Sequence, residues 1–191
     1  MQALSDLPRS PPFRQPEPAS YRRNPLSRIL VRSALSDIKM KLGKVLQTPE
    51  VNVVIFSFLL NLAWEMWQVP FFLGMADAPH WQGVKACTQA TAGDAAIALA
   101  AFWVAAALAK NRRWIVKPRK CYLAAFIGTG LIATIVLESL ATEVLGRWTY
   151  IEAMPRLPII GTGLLPLLQW LLIPPLVLWF VRRQTRWRHI R

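Results

Sequence analysis

The sequence predicts an all-α integral membrane protein: a four-transmembrane-helix bundle, preceded by a disordered N-terminal tail and a basic amphipathic helix. Three observations predict this fold. Four apolar stretches each approach or exceed the roughly 20 residues that a helix needs to cross the hydrocarbon core. Hydrophobic residues make up 54% of the chain and charged residues only 17%, whereas soluble domains carry about 25% charge. The basic residues are concentrated outside the apolar stretches, as in membrane proteins.

Net charge and composition exclude several further classes of protein. The chain carries 23 Lys and Arg against 10 Asp and Glu, a formal net charge of +13. Such basicity is typical of nucleic-acid-binding proteins, but those are rarely so apolar, and membrane topology explains much of the charge. We therefore expect no nucleic-acid partner. The composition also excludes a soluble enzyme, a disulfide scaffold and a wholly disordered chain.

Two segments precede the apolar stretches. Residues 1–24 contain five prolines and no periodicity, which predicts a disordered cytoplasmic tail over about 1–25. Residues 26–47 show a helical period, with Leu35 and Ile38 on an apolar face and Lys39 among the basic residues beside it. A basic amphipathic helix binds anionic membrane surfaces, and we expect this one to lie there. The alternative is an ordinary solvated helix that packs on its own domain.

The transmembrane domain is predicted over residues 48–181. Thr48, Pro49 and Glu50 indicate a helix start, because they supply an N-cap, a first-turn proline and an acid at the positive end of the helix dipole. The second span is rich in alanine, so a re-entrant or amphipathic segment is the alternative there. The spans are expected at about 51–71, 87–109, 121–145 and 158–181, followed by a basic cytoplasmic tail at 182–191.

The distribution of basic residues predicts the orientation. The N-terminal segment, the loop between the second and third spans, and the C-terminal tail together hold twenty Lys and Arg. The other two loops hold three, which are Lys85, Arg147 and Arg156. Because cytoplasmic segments of membrane proteins are enriched in Lys and Arg, both termini and the middle loop are expected in the cytoplasm. In a bacterium the membrane would be the inner membrane.

Three acids inside the spans are the candidate catalytic residues. Glu65, Asp94 and Glu138 lie in the first, second and third spans, each in the half of the membrane away from the cytoplasm. A carboxylate that faces lipid costs about 2.5–3.5 kcal/mol. We therefore expect all three to face the bundle interior, where one could act as general acid or base. The alternative is that they only link the helices through hydrogen bonds.

Polar and aromatic residues near these acids are the candidate substrate-binding residues. On the first helix, amides at i−4 and i+3 share a face with Glu65. Interfacial aromatic belts explain many of the aromatic residues, and an aromatic-lined pocket for a hydrophobic or cationic ligand is the alternative. No metal motif occurs, so no metal is expected, and the sequence identifies no cofactor. The candidates are Asn61, Trp64, Gln68, Arg147, Trp148, Tyr150 and Gln169.

One stretch resembles a known group of enzymes. From Glu138 through Trp148 and Tyr150 to Pro166 and Trp170, the chain is similar to integral-membrane carotenoid cyclases and hydratases. Those enzymes also place an acid on a helix before an aromatic turn and a Pro-Leu span. The resemblance implies an isoprenoid substrate. It covers no more than this stretch, and the paired-acid motif of the cyclases is missing.

Three functions are compatible with these residues. The first is a membrane protein without catalysis, whose only certain partner is the lipid bilayer. The second is an enzyme that acts on a lipid or isoprenoid ligand by carboxylate acid–base chemistry. The third is a small proton-linked transporter in which Glu65 exchanges protons for substrate. Small multidrug transporters resemble the chain in having four helices with a glutamate in the first, but its tail and long loops depart from theirs. Homo-oligomer formation is left open.

Overall fold

A computed structural model describes residues 25–158 and 161–186, and within these ranges the chain is helical with no strand. Single 3-10 turns lie at Val69–Phe71 and Trp114–Val116, and a π-helical turn lies at Leu140–Val144. Residues 1–24 of the tail predicted at about 1–25, and the last residues at 187–191, lie outside the described residues. The helices are α1 (Pro25–Val45), α2 (Pro49–Gln68), α3 (His80–Ala109), α4 (Lys120–Ser139) and α5 (Leu164–Arg186).

Four helical segments are long and apolar enough to cross a membrane. Each spans at least 18 residues at high mean hydropathy and with few charges. This confirms the prediction of an all-helical chain with four candidate spans. The segments are Pro49–Phe71 (23 residues), His80–Ala109 (30 residues), Lys120–Val144 (25 residues) and Leu164–Thr185 (22 residues).

Two helices begin at residues other than those where the apolar stretches begin. α3 starts at His80, ahead of the apolar stretch at Cys87, because its first two turns are polar and hydropathy does not register them. α5 starts at Leu164 rather than near 158. The backbone before it turns instead: the N–H of Gly161 donates to the carbonyl of Leu157 at 2.9 Å, and Gly161 has φ +69°. Such a φ suits glycine and ends regular structure.

The chain divides into two compact units, residues 1–41 and residues 42–191. Most of α1 belongs to the first unit. Its large apolar side chains are at least half exposed. They are Ile29, Leu30, Val31, Leu35, Ile38, Met40, Leu42 and Val45.

Within the second unit, α2 to α5 form a four-helix bundle. α2 packs against α3 and α5, and α4 packs against the same two helices. Small residues allow this close packing: α3 buries alanines such as Ala98, Ala101 and Ala105, and Gly130 of α4 faces the ring of Trp170 on α5.

The bundle is apolar outside and partly polar inside. Large apolar side chains such as Leu59 on α2, Ile132 on α4 and Leu172 on α5 are exposed. In water an amphipathic helix turns its apolar face toward the protein interior. A bundle in lipid gains nothing from this, so its helices can turn polar faces inward. α2 turns its polar face inward, because six of its seven buried residues are polar. These residues are Glu50, Asn52, Val53, Ser57, Asn61, Glu65 and Gln68.

Candidate functional site

Gln169 of α5 is the centre of a buried polar cluster shared by α2, α3 and α5. Its Nε2 donates to Asn61 Oδ1 and to Asp94 Oδ2, both at 2.8 Å, and lies 3.3 Å from Glu65 Oε1. The side chain amide has only two hydrogens to donate, so the three acceptors share two donors. Gln169 is itself 2% exposed. The cluster therefore joins three helices through one amide.

The residues of α2 in this cluster are oriented by helical spacing. Glu65 Oε1 accepts a hydrogen bond from Gln68 Nε2 at 2.8 Å, and Gln68 Oε1 in turn accepts one from Trp64 Nε1 at 3.1 Å. Asn61 Nδ2 donates to the backbone carbonyl of Ser57 at 2.8 Å. Residues three and four apart lie on the same helix face, which is why these side chains form a connected row.

Glu65 and Asp94 form a carboxyl pair at the middle of the cluster. Gln169 Nε2 holds them together, because it lies 2.8 Å from Asp94 Oδ2 and 3.3 Å from Glu65 Oε1. Two ionised carboxylates held this way repel each other, so a proton on one of them would stabilise the pair. Paired carboxyls that share a proton divide acid and base roles between them. The pair is therefore chemically able to hold and release a proton.

Glu138 belongs to a neighbouring group at the end of α4. Its Oε2 accepts hydrogen bonds from Trp148 Nε1 at 3.3 Å and from the hydroxyl of Tyr150. Burial raises the pKa of Tyr150, and the Glu138 carboxyl beside it raises it further. The phenol therefore keeps its proton and remains a donor. Glu138 therefore has hydrogen-bond partners that differ from those of Glu65 and Asp94.

Tyr150 is held in place by pairing between two loops. The N–H of Leu73 donates to the carbonyl of Thr149 at 2.8 Å, and the N–H of Ile151 donates to the carbonyl of Phe71 at 3.1 Å. Gly163 lies so close to the Tyr150 ring that a Cβ there would be 3.1 Å from Cε1. The loop after α4 is thus tied to the loop after α2, with the phenol directed at Glu138.

Arg147 is the candidate residue that the structure leaves outside these groups. Its side chain is exposed, and its guanidinium carbon lies 5.8 Å from the centre of the Trp148 ring. The substrate-binding role predicted for Arg147 stays a prediction. The N–H of Arg147 donates to the carbonyl of Ala141 at 2.9 Å, so regular helix has already ended here and helical spacing does not orient its side chain.

Ser57 is a site residue that sequence reasoning missed. It lines a cavity of about 10 Å³ together with Asn61, Gln169 and Trp170, which is close to the volume one water needs. Ser57 Oγ and Trp170 Nε1 have no hydrogen-bond partner within the described residues. The available signal was periodicity, because Ser57 lies four residues before Asn61 and eight before Glu65 on the same helix face.

The described residues contain no group of three or more His, Cys, Asp and Glu side chains that could hold a metal ion. The polar groups of the site are carboxyls, amides and the N–H and O–H donors of aromatic residues. No protein-family model, curated protein or solved structure matches the chain, so the resemblance of residues 138–170 to carotenoid enzymes gains no support from comparison.

Proposed function

We propose that the protein is a multi-pass protein of a bacterial inner membrane, with both termini in the cytoplasm and α1 on the cytoplasmic membrane surface. The exposed apolar side chains of the bundle and its buried polar residues support insertion. The distribution of Lys and Arg, twenty against three, supports the orientation. The carboxyl pair then lies in the half of the membrane away from the cytoplasm.

Reporter fusions test this orientation. Fusions after Lys44, Gly83, Asn111, Glu152 and His189 should report cytoplasm, exterior, cytoplasm, exterior and cytoplasm in turn. The reason is that basic segments resist translocation. A fusion pair whose signals are active on opposite sides, such as alkaline phosphatase and green fluorescent protein, provides the measurement. A cytoplasmic signal at Gly83 would overturn the proposed topology.

We further propose that the protein is a proton-linked transporter and that the Glu65–Asp94 pair binds the transported proton. The observation that carries this proposal is that Gln169 Nε2 holds the two carboxyls together, at 2.8 Å from Asp94 Oδ2 and 3.3 Å from Glu65 Oε1, where a proton on one of them would relieve their repulsion. Loss of that proton would leave two negative charges close together, and they would repel each other unless a cation entered. Exchange of a proton for a cationic solute follows from this chemistry, with Trp64 available for a cation–π contact.

The buried polar face of α2 supports transport over a purely structural role. From Gln68 to Ser57 the polar side chains extend for about 16 Å at helical rise, roughly half the hydrocarbon thickness. Beyond Ser57 the fully buried Val53 interrupts the row. A transporter that alternates between two open faces has access from one face at a time, and a polar row that Val53 interrupts fits such a state.

An acid–base enzyme on a lipid or isoprenoid is the second candidate, and the Glu138 group favours it. Glu138 is only partly buried, and its carboxyl is hydrogen-bonded by Tyr150 and Trp148 at the rim of the bundle. A carboxyl beside aromatic rings at the membrane interface could act on an apolar substrate that enters from the side. In this case Glu138 rather than the carboxyl pair would be the reacting group.

Proton binding by the reconstituted protein distinguishes these functions. A pH jump applied to proteoliposomes on a solid-supported electrode should give a transient charge displacement. Glu65→Gln and Asp94→Asn should each reduce it to the level of protein-free membranes, because each removes half of the carboxyl pair.

Glu143→Gln is the matched control, since Glu143 is an exposed acid at the same end of the bundle and should leave the charge displacement unchanged. Full charge displacement in both carboxyl-pair variants would contradict the transporter proposal. Conversion of an isoprenoid or lipid that is lost only in Glu138→Gln would instead establish the enzyme.

A further inference from the structure

A second cavity lies at the opposite end of the bundle, where the chain passes from α3 to α4. Its volume is about 430 Å³, within the range of small-molecule binding sites. It is separate from the carboxyl pair, because Asp94 lies 15 residues before the end of α3, about 22 Å away at helical rise. Its walls include Asn111, Arg113, Trp114, Lys117, Arg119 and Tyr122.

The cavity is strongly cationic. Arg113, Lys117 and Arg119 line it, and the sequence contains no Asp or Glu between Asp94 and Glu138. Among the described residues, the loop makes one ion pair, in which Arg112 Nη2 lies 2.8 Å from Glu50 Oε1. The three lining cations are therefore without carboxylate partners in the part of the chain that the structure describes. Three like charges around one space favour an anion.

The first turn of α4, which brings Tyr122 to the cavity wall, suits an oxyanion. α4 begins at Lys120, directly after Arg119, and no side chain caps its first N–H groups. A helix N-terminus adds positive potential and free N–H donors. Together with the three cations, these groups match the several oxygens of a phosphate.

Apolar surface adjoins the cationic walls. Ala109 and Val116 line the cavity with the aromatic residues, and the preceding turn of α3 exposes Leu108 and Val104 to the bundle surface. A free phosphate makes no favourable contact with this apolar surface, whereas the acyl chains of a lipid would lie along it. Basic pockets at the cytoplasmic ends of membrane helices recognise anionic lipid head groups.

We propose that this cavity binds the phosphate of an acidic phospholipid, with Arg113, Lys117 and Arg119 as its cationic ligands. The lipid would connect the α3–α4 loop to the leaflet beside it. This site is independent of the carboxyl pair, so the proposal stands whichever activity the pair supports.

Lipid binding to the full-length protein tests the proposal. Purified protein in a mild detergent is titrated with phosphatidylglycerol or phosphatidylcholine, and bound lipid is counted by native mass spectrometry. We expect at least tenfold tighter binding of phosphatidylglycerol. The variant Arg113→Gln/Lys117→Gln/Arg119→Gln should lose about tenfold or more of that affinity, given the usual contribution of each basic residue near an anionic surface.

The control variant is Lys110→Gln/Lys120→Gln/Arg183→Gln. It removes three charges from exposed positions at the same end of the bundle that do not line the cavity, and should keep binding within about twofold. Because the three cavity cations are exposed, the cavity variant should fold, and a charge-conserving Arg113→Lys/Arg119→Lys variant should retain most binding. Retained binding in the charge-conserving variant, together with an unchanged melting temperature of the cavity variant, distinguishes loss of ligand contacts from misfolding.

Three outcomes would overturn the proposal. The first is equal binding of the two lipids. The second is an equal loss of binding in the control and cavity variants, which would indicate diffuse surface charge. The third is protection against thermal unfolding by inorganic phosphate as strong as that by phosphatidylglycerol, which would assign the cavity to a soluble phosphate instead of a lipid.

Discussion

Gly130→Ala should destabilise the four-helix bundle by about 3 kcal/mol, at the upper end of the cost of overpacking a core. A Cβ at this position would lie 1.9 Å from Cζ3 of Trp170, far inside contact distance. Trp170 is itself buried among residues of the bundle core, so the ring has little room to move. The added methyl group would force α4 and α5 apart. Thermal unfolding in detergent, followed by near-ultraviolet circular dichroism, measures the loss.

Gly128→Ala is the matched control for this substitution. It adds the same methyl group to the same helix, but nothing lies within 4 Å of the new Cβ. Because alanine favours helix over glycine by about 1 kcal/mol, stability should stay the same or rise. Adding Trp170→Leu to Gly130→Ala should restore part of the loss by making space. Equal stability of the two alanine variants would contradict the close contact between α4 and α5.

Gln169→Leu should also cost about 3 kcal/mol or more, and it should disrupt the carboxyl pair. Leucine keeps much of the side-chain volume but removes the donor that contacts Asn61, Asp94 and Glu65. Each buried polar group left without a partner costs about 1–3 kcal/mol. The measurement is again thermal unfolding in detergent, accompanied by the pH-jump charge displacement, which should fall because the pair loses its shared donor.

The control for this substitution is Gln89→Leu, which makes the same change at an exposed position on α3 and should leave stability nearly unchanged. The double variant Gln169→Leu/Asp94→Leu should recover part of the lost stability, because removing both partners costs less than stranding one. If Gln169→Leu unfolds at the temperature of the wild type, the amide does not hold the three helices together.

The amino-acid sequence by itself determined the helices of this protein. An apolar stretch of about 20 residues has few other stable structures, because in lipid each backbone polar group must bond within the segment. Helical periodicity likewise predicted a helix at 26–47, and the structure has it at Pro25–Val45. It also placed the Asn61, Glu65 and Gln68 row on one face of α2, because helical periodicity alone decides which side chains share a face.

The tertiary structure alone decided how the acids are partnered. Hydropathy indicates how deep a residue lies along a helix, but not how each helix is rotated or which neighbour it meets. Packing therefore determined that Gln169 bridges Asn61 to Asp94, while Glu138 pairs with Tyr150 instead. The π-helical turn after α4 ended the helical periodicity before Arg147, so spacing along α4 does not orient that side chain. These contacts join residues up to 108 positions apart, and nothing in local sequence encodes such a distance.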